Sequence, residues 1–297
     1  MSVPPSTPED APLVRIGELS RRTGVGIDTL RAWERRYGLL HPERSPGGFR
    51  LYGQSDQERV RAMKALIDSG VTASEAARLA SSGPESPAGP RGAREAVGDH
   101  GPRLEAALER FDETDANAIL DDALARFTID AVASRIFLPV MQAIGRRWEE
   151  GEISVAQEHF ATGILRARML SLGRSWGAGR GPRALLACPP GERHDLGLIA
   201  FGLVLRERGW RITFLGSDTP IETIVDSAVG LKPAAVVLAA VTPERFEDVA
   251  DGIRRLSRGS PVLIGGEGAS SDMADRLGAQ ALDGDPVQAA ALMPGSG

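Results

Sequence analysis

Four short apolar runs in the last third of the chain constrain its fold most. They are Ala184-Leu-Leu-Ala, Arg211-Ile-Thr-Phe-Leu, Ala235-Val-Val-Leu-Ala and Pro261-Val-Leu-Ile, and helical stretches separate them. Strands that are apolar on both faces are parallel strands covered by helices on each side. Residues 183–293 are therefore expected to form a doubly wound α/β domain. Such sheets bind ligands at the carboxyl ends of their strands, so the loops after these runs are where site residues are sought.

Two stretches interrupt the pattern, Ser81 to Pro102 and Gly177 to Pro182, both rich in glycine and proline. They divide the 297 residues into three parts, and a hydrophobic fraction of 42% suits several packed units. Residues 81–102 read as a flexible linker. Between the breaks, Leu104, Leu108 and Phe111, then Val132, Ile136, Val140 and Ile144, recur at helical spacing, which predicts a helical bundle over 103–176. Capping-box patterns at Ser55 to Glu58, Thr72 to Glu75 and Ser154 to Gln157 predict helix starts.

The net charge is −5, yet residues 13–80 hold twelve Arg and Lys against eight Asp and Glu. The basic excess is N-terminal, so nucleic acid suits only that end. One cysteine, Cys188, excludes an intrachain disulfide and any multi-cysteine metal cluster. No basic leader and no apolar run of about 18 residues is present, so a cytoplasmic protein without a membrane partner is expected.

Within 13–80, Ile16-Gly-Glu-Leu-Ser and Ile27-Asp-Thr-Leu-Arg-Ala-Trp-Glu-Arg-Arg-Tyr flank a Thr23-Gly-Val-Gly turn, the spacing of a helix-turn-helix. On the second helix Ile27, Leu30, Glu34 and Tyr37 share one side, and Asp28, Arg31 and Arg35 another. The latter side can face a major groove, with arginine forks on guanine or phosphate and Asp28 accepting from cytosine. Ser45-Pro-Gly-Gly-Phe-Arg-Leu-Tyr reads as a wing, with Arg44 and Arg50 flanking its turn to reach phosphates and Tyr52 beside them. An isolated arginine pair is more often a solvated face. The ordered string from Ile16 through Trp33-Glu-Arg-Arg-Tyr to Gly48-Phe-Arg-Leu-Tyr, however, resembles the DNA-binding domain of the MerR family. The resemblance implies dimers on pseudo-palindromic operators.

In the α/β part, Glu192-x-His194-x-x-Gly197 follows the first strand. It supplies an imidazole, a carboxylate two residues away to hold the other ring nitrogen, and a glycine that allows close approach. Ala240-Val-Thr242 follows Gly197 after 42 intervening residues, and Gly265-Gly266 follows Thr242 after another 22. Together these resemble the Rossmann-like cobalamin-binding domains of methionine synthase and the cobalamin mutases. The resemblance implies base-off cobalamin with His194 as cobalt ligand and Glu192 orienting it. It also places Gly197, Thr242, Gly265 and Gly266 around the nucleotide tail. Ala240 departs from the serine usual in that family.

The bundle adds Trp148, then Glu158-His159 after nine residues, on either side of one helix–helix turn. Trp148 can cover a ligand, and Glu158 can accept from ribose hydroxyls or an adenine amine. With the other two parts, this spacing resembles the cobalamin-dependent photoreceptor repressors of the CarH and LitR type within the MerR family. That implies adenosylcobalamin shielded by Trp148, Glu158 and His159, and a dark tetramer on operator DNA that leaves it after light breaks the cobalt–carbon bond. Carotenoid or other light-response genes are the implied targets. Glu149 stands where some of these proteins carry histidine, which leaves water, His159 or no group as the upper ligand after light. Other readings of the same residues are a light-independent cobalamin sensor, a regulator without cofactor, and a corrinoid methyl carrier. The helix-turn-helix and the lack of a substrate domain favour a regulator over an enzyme.

Overall fold

The computed structural model describes residues 13–82 and 90–294. The chain gathers into two compact units. One takes the chain up to Leu104 with Thr114–Ile136, and the other takes Glu105–Glu113 with Phe137 onward.

In the first unit α1 (Ile16–Thr23) and α2 (Ile27–Tyr37) each end on a left-handed glycine, Gly24 at φ 67° and Gly38 at φ 62°. A side chain would be strained at both places, and so each helix stops there. A wing follows, β1 (Glu43–Arg44) antiparallel to β2 (Arg50–Leu51). Then come α3 (Gln54–Asp68) and α4 (Ala73–Ser81), around a core of Leu19, Leu30, Trp33, Leu39, Val60, Met63 and Leu66. Asp56, in the first turn of α3, draws the two ends of the wing together. Its carboxylate accepts from the His41 N–H at 2.9 Å and the Gly53 N–H at 3.2 Å.

The next elements are α5 (Pro90–Glu109), α6 (Glu113–Arg126) and α7 (Ile129–Val132), which runs into a π-helical turn, Ala133–Phe137. The α3–α4 turn is joined to the α6–α7 turn by a bridge between Val71 and Phe127. The Thr72 N–H donates to Arg126 O and the Thr128 N–H to Gly70 O, both at 2.9 Å. Gly70, at φ 90°, packs so close that a Cβ would lie 2.6 Å from that of Ala131.

From Phe137 onward the second unit runs through α8 (Leu138–Glu149) and α9 (Val155–Leu172), followed by the 3₁₀ turn Gly173–Ser175. The α/β part runs β3 (Arg183–Ala187), α10 (Leu196–Glu207), β4 (Arg211–Gly216), α11 (Ile221–Leu231), β5 (Ala235–Ala239), α12 (Glu244–Glu247), α13 (Ala250–Ser257), β6 (Val262–Gly265), α14 (Ser271–Leu277), β7 (Gln280–Ala281) and α15 (Pro286–Leu292). The sheet is parallel in the order β4-β3-β5-β6-β7, as a doubly wound domain requires. Order reverses between β3 and β5, which opens a crevice at their carboxyl ends. Leu185, Val236, Leu238 and Ile264 on one face pack with Ile224, Phe246, Ile253 and Met273 from the helices.

Several expectations need correction. Ser55 does not cap α3: the helix begins at Gln54 after Gly53, and Asp56 reaches back to the Gly53 N–H. Thr72 does precede α4, but its side chain caps nothing, and Glu75 instead pairs with Arg78 and Arg126. Only the Ser154–Gln157 box forms in both directions. Phe111 does not continue the buried stripe of Leu104 and Leu108. It lies past α5 at φ 58° and is half exposed. The stretch read as a linker is helical from Pro90, with Pro102 inside the helix, because intrinsic propensity is a weak prior against the burial of Leu104, Ala107 and Leu108. Residues 83–89 of that stretch lie outside the described residues. β7, two residues long, has no apolar run to announce it.

Candidate functional site

The surface of α2 is divided as its spacing predicts on one side only. Asp28, Arg31 and Arg35 are all exposed, with Arg31 loosely paired to Asp28 at 3.7 Å. The buried side is Leu30 and Trp33, whereas Ile27 is exposed. In the wing, Arg44 and Arg50 are exposed and lie directly opposite each other across the two strands. Tyr52 does not join them at the surface. It is 1% exposed, and its hydroxyl donates to Glu34 Oε2 at 2.8 Å, so it cannot itself contact DNA. The alternation of the wing strand turns Tyr52 inward, where its backbone pairs with Val14 on the unit's own core.

In the second unit the loop after β3 carries the Glu-x-His motif across the switch point. Glu192 is buried, and its Oε1 accepts from the backbone N–H of His194 at 2.8 Å and from Nδ1 of the same residue at 2.7 Å. Its Oε2 accepts from the Val241 N–H, just past β5, at 2.8 Å. Burial alone would raise the Glu192 carboxyl. The N–H groups of Val241 and His194 and the imidazole outweigh it and hold the carboxyl below the usual carboxylate range. The His194 side chain is 76% exposed. With Nδ1 against the carboxylate, Nε2 is the ring nitrogen left facing outward, the arrangement of a metal-binding imidazole.

Around this loop, Gly197 lies in the first turn of α10, Thr242 is exposed beyond β5, Gly265 ends β6 and Gly266 follows it. Gly266 sits at φ 91°, where a Cβ would be 2.4 Å from Ala240 O. Gly268, which the motif spacing did not single out, packs equally close on the backbone of Thr242. At both places the backbones pack too closely to admit a side chain.

Trp148 lies in the last turn of α8 and is 45% exposed, unlike the buried Trp176 and Trp210, so it is not a core residue. Glu158 and His159 open α9. His159 Nδ1 lies 2.5 Å from Glu158 Oε2, and the Thr162 hydroxyl donates to Oε1 at 2.8 Å. His159, like His194, is thus a carboxylate-held imidazole with a free outer nitrogen. Val155 lies one turn before Glu158 and is also exposed.

The residue that sequence reading missed is Arg166. It forks onto both oxygens of Asp195 at 2.8–3.1 Å, and Asp195 is 2% exposed and follows His194 directly. Asp195 occupies the N-cap position of α10, yet its side chain caps nothing there. Glu158, Thr162 and Arg166 recur every four residues along one face of α9. Helical rise puts Glu158 about 12 Å along the axis from the arginine that grips the His194 loop. No local pattern marks a pair 29 residues apart.

A winged helix-turn-helix with an exposed arginine face, joined to a switch-point loop that presents a carboxylate-held imidazole, defines a DNA-binding regulator with a ligand-binding α/β domain. Comparison with known proteins agrees. Residues 14–83 match the MerR HTH family regulatory proteins, and residues 102–172 and 182–290 match two B12 binding domain families. The chain is 36% identical over 284 residues to the HTH-type transcriptional repressor CarH of Myxococcus xanthus, covering 91% of this chain and 95% of that one. It is 35% identical to the repressor CarA of the same organism over 86% and 87% of the two chains. The solved monomethylamine corrinoid protein of Methanosarcina barkeri shares the fold of 67% of this chain and 97% of its own, with a TM-score of 0.54 at 19% identity. The chain belongs to the MerR-type transcriptional repressors with B12-binding domains. Its relatives of this coverage are repressors and not enzymes. Among the described residues no helix is long and apolar enough to cross a membrane.

Proposed function

We propose that the chain is a light-responsive repressor that holds adenosylcobalamin base-off, occupies operator DNA as a dimer or tetramer in the dark, and leaves it after illumination. One observation carries the reading most directly. The exposed Nε2 of His194, its ring fixed through Nδ1 by the buried Glu192, stands at the switch point of a parallel sheet. The donor set fits cobalamin: one imidazole nitrogen stands ready for cobalt, and on this reading Gly197, Thr242, Gly265 and Gly266 line the nucleotide tail. When bound, adenosylcobalamin supplies a cobalt–carbon bond that green light breaks.

The remaining work belongs to the chain. Glu192 fixes the orientation of His194. On the other side Trp148 offers an apolar cover. The Glu158 carboxylate has accepting capacity beyond Thr162 and His159 for ribose hydroxyls or an adenine amine. A ligand shifts an equilibrium only by its differential affinity for two states, so the adenosyl group acts by touching α8 and α9 as well as the α/β part. On this reading residues 13–80 bind DNA through Asp28, Arg31, Arg35, Arg44 and Arg50, residues 103–176 cover the upper face, and residues 183–293 hold the cofactor from below. The protein works in the cytoplasm, where the operator is.

The test is an absorption spectrum of the chain mixed with adenosylcobalamin, before and after green light, beside operator binding in both conditions. The expected outcome is a base-off spectrum in the dark that changes on illumination, lost in His194→Ala, with DNA affinity falling in the light. Equal DNA affinity in dark and light overturns the photoreceptor claim.

A further inference from the structure

Tyr52 lies in the wing but cannot reach DNA, and what its hydroxyl does hold is informative. Glu34, on α2, accepts from the Tyr52 hydroxyl at Oε2 and pairs through Oε1 with Nε of Arg50, 3.1 Å away. The Glu34 side chain is 19% exposed and that of Arg50 57%. A guanidinium engaged through Nε keeps its terminal nitrogens, the edge that forks onto phosphate oxygens. Arg50 also stands directly opposite Arg44 in the strand register. Like charges facing each other across strands are destabilising by themselves, and an anionic partner lying over both relieves the repulsion.

We infer that Tyr52 and Glu34 form a positioning relay: the buried phenol fixes the Glu34 carboxylate, and the carboxylate fixes Arg50 so that its terminal nitrogens meet a DNA phosphate. Neither relay residue touches DNA. Burial, together with the Glu34 carboxylate, pushes the Tyr52 hydroxyl up to about 12, so it remains a donor throughout the working pH range. The relay rests on Arg50 being a phosphate contact and is independent of any cofactor.

The experiment is a double-mutant cycle on the full chain, read as affinity for a duplex of about 30 base pairs across about 50–200 mM salt, with thermal melts as the folding control. Arg50→Ala should flatten the plot of log affinity against log salt by about one phosphate. Tyr52→Phe, which removes one oxygen, should weaken binding about threefold to fivefold in the native background and leave it unchanged in the Arg50→Ala background. Glu34→Gln, similar in size but uncharged, should show the same dependence on Arg50. An unchanged salt slope in Arg50→Ala overturns the phosphate contact itself. If that slope falls as expected but Tyr52→Phe costs nothing, or costs as much with Arg50 absent, the relay is overturned while the contact stands.

Discussion

Replacing Glu192 by alanine tests the centre of the proposed site without any cofactor. Three N–H donors end on this one carboxylate, at 2.7, 2.8 and 2.8 Å, in a residue that is 2% exposed. Hydrogen bonds to a charged group contribute about 1.5–3 kcal/mol each, so three reach about 5–9 kcal/mol. The desolvation cost of the buried charge disappears with the carboxylate and offsets several kcal/mol of that. A net loss of about 2–4 kcal/mol is expected, with about half as much for Glu192→Gln, whose amide keeps one acceptor but points a donor at another N–H. Urea unfolding of the cofactor-free chain, followed by fluorescence of the buried Trp176 and Trp210 in the same unit, measures it. A second signature is pH. The folded carboxyl lies below its ordinary value, so its stabilisation is complete above the unfolded value of about 4.3 and is lost as pH falls through the folded one. The gap between wild type and Glu192→Ala should be full at neutral pH and narrow below about pH 4. A loss under about 0.5 kcal/mol at neutral pH would refute the claim that this carboxylate organises the loop.

Three other outcomes are expected. Arg166→Ala leaves the buried Asp195 without its cation and should cost about 2–4 kcal/mol in the same unfolding assay, below the full cost of a wholly buried pair because the Arg166 side chain is 41% exposed; Arg166→Lys should recover only part, lacking the fork. Gly266→Ala should destabilise by at least about 2 kcal/mol, since φ 91° and a Cβ 2.4 Å from Ala240 O leave no relaxed position. Cys188 should resist a thiol reagent at pH 8 in the folded chain and react on unfolding, because burial pushes its thiol up to about 12; rapid labelling of the native protein would contradict that burial.

What the sequence determined by itself was local. Short continuous apolar runs and period-3.6 spacing are set by backbone geometry within a few residues, so the parallel strands, the two helices of the DNA-binding head and the Ser154 box were readable. The Glu192–His194 hydrogen bond was readable too, because two residues apart in a tight loop the partners can hardly avoid each other. Only the tertiary structure decided which groups from distant segments meet. It placed the Val241 N–H on Glu192 from 49 residues away and Arg166 on Asp195. It also turned Tyr52 from a surface residue of the wing into the buried support of Glu34, and carried α5 through glycines and a proline that read as a linker. Burial and long-range hydrogen bonds depend on what lies across a packed interface, and no periodicity along one segment encodes the face of another.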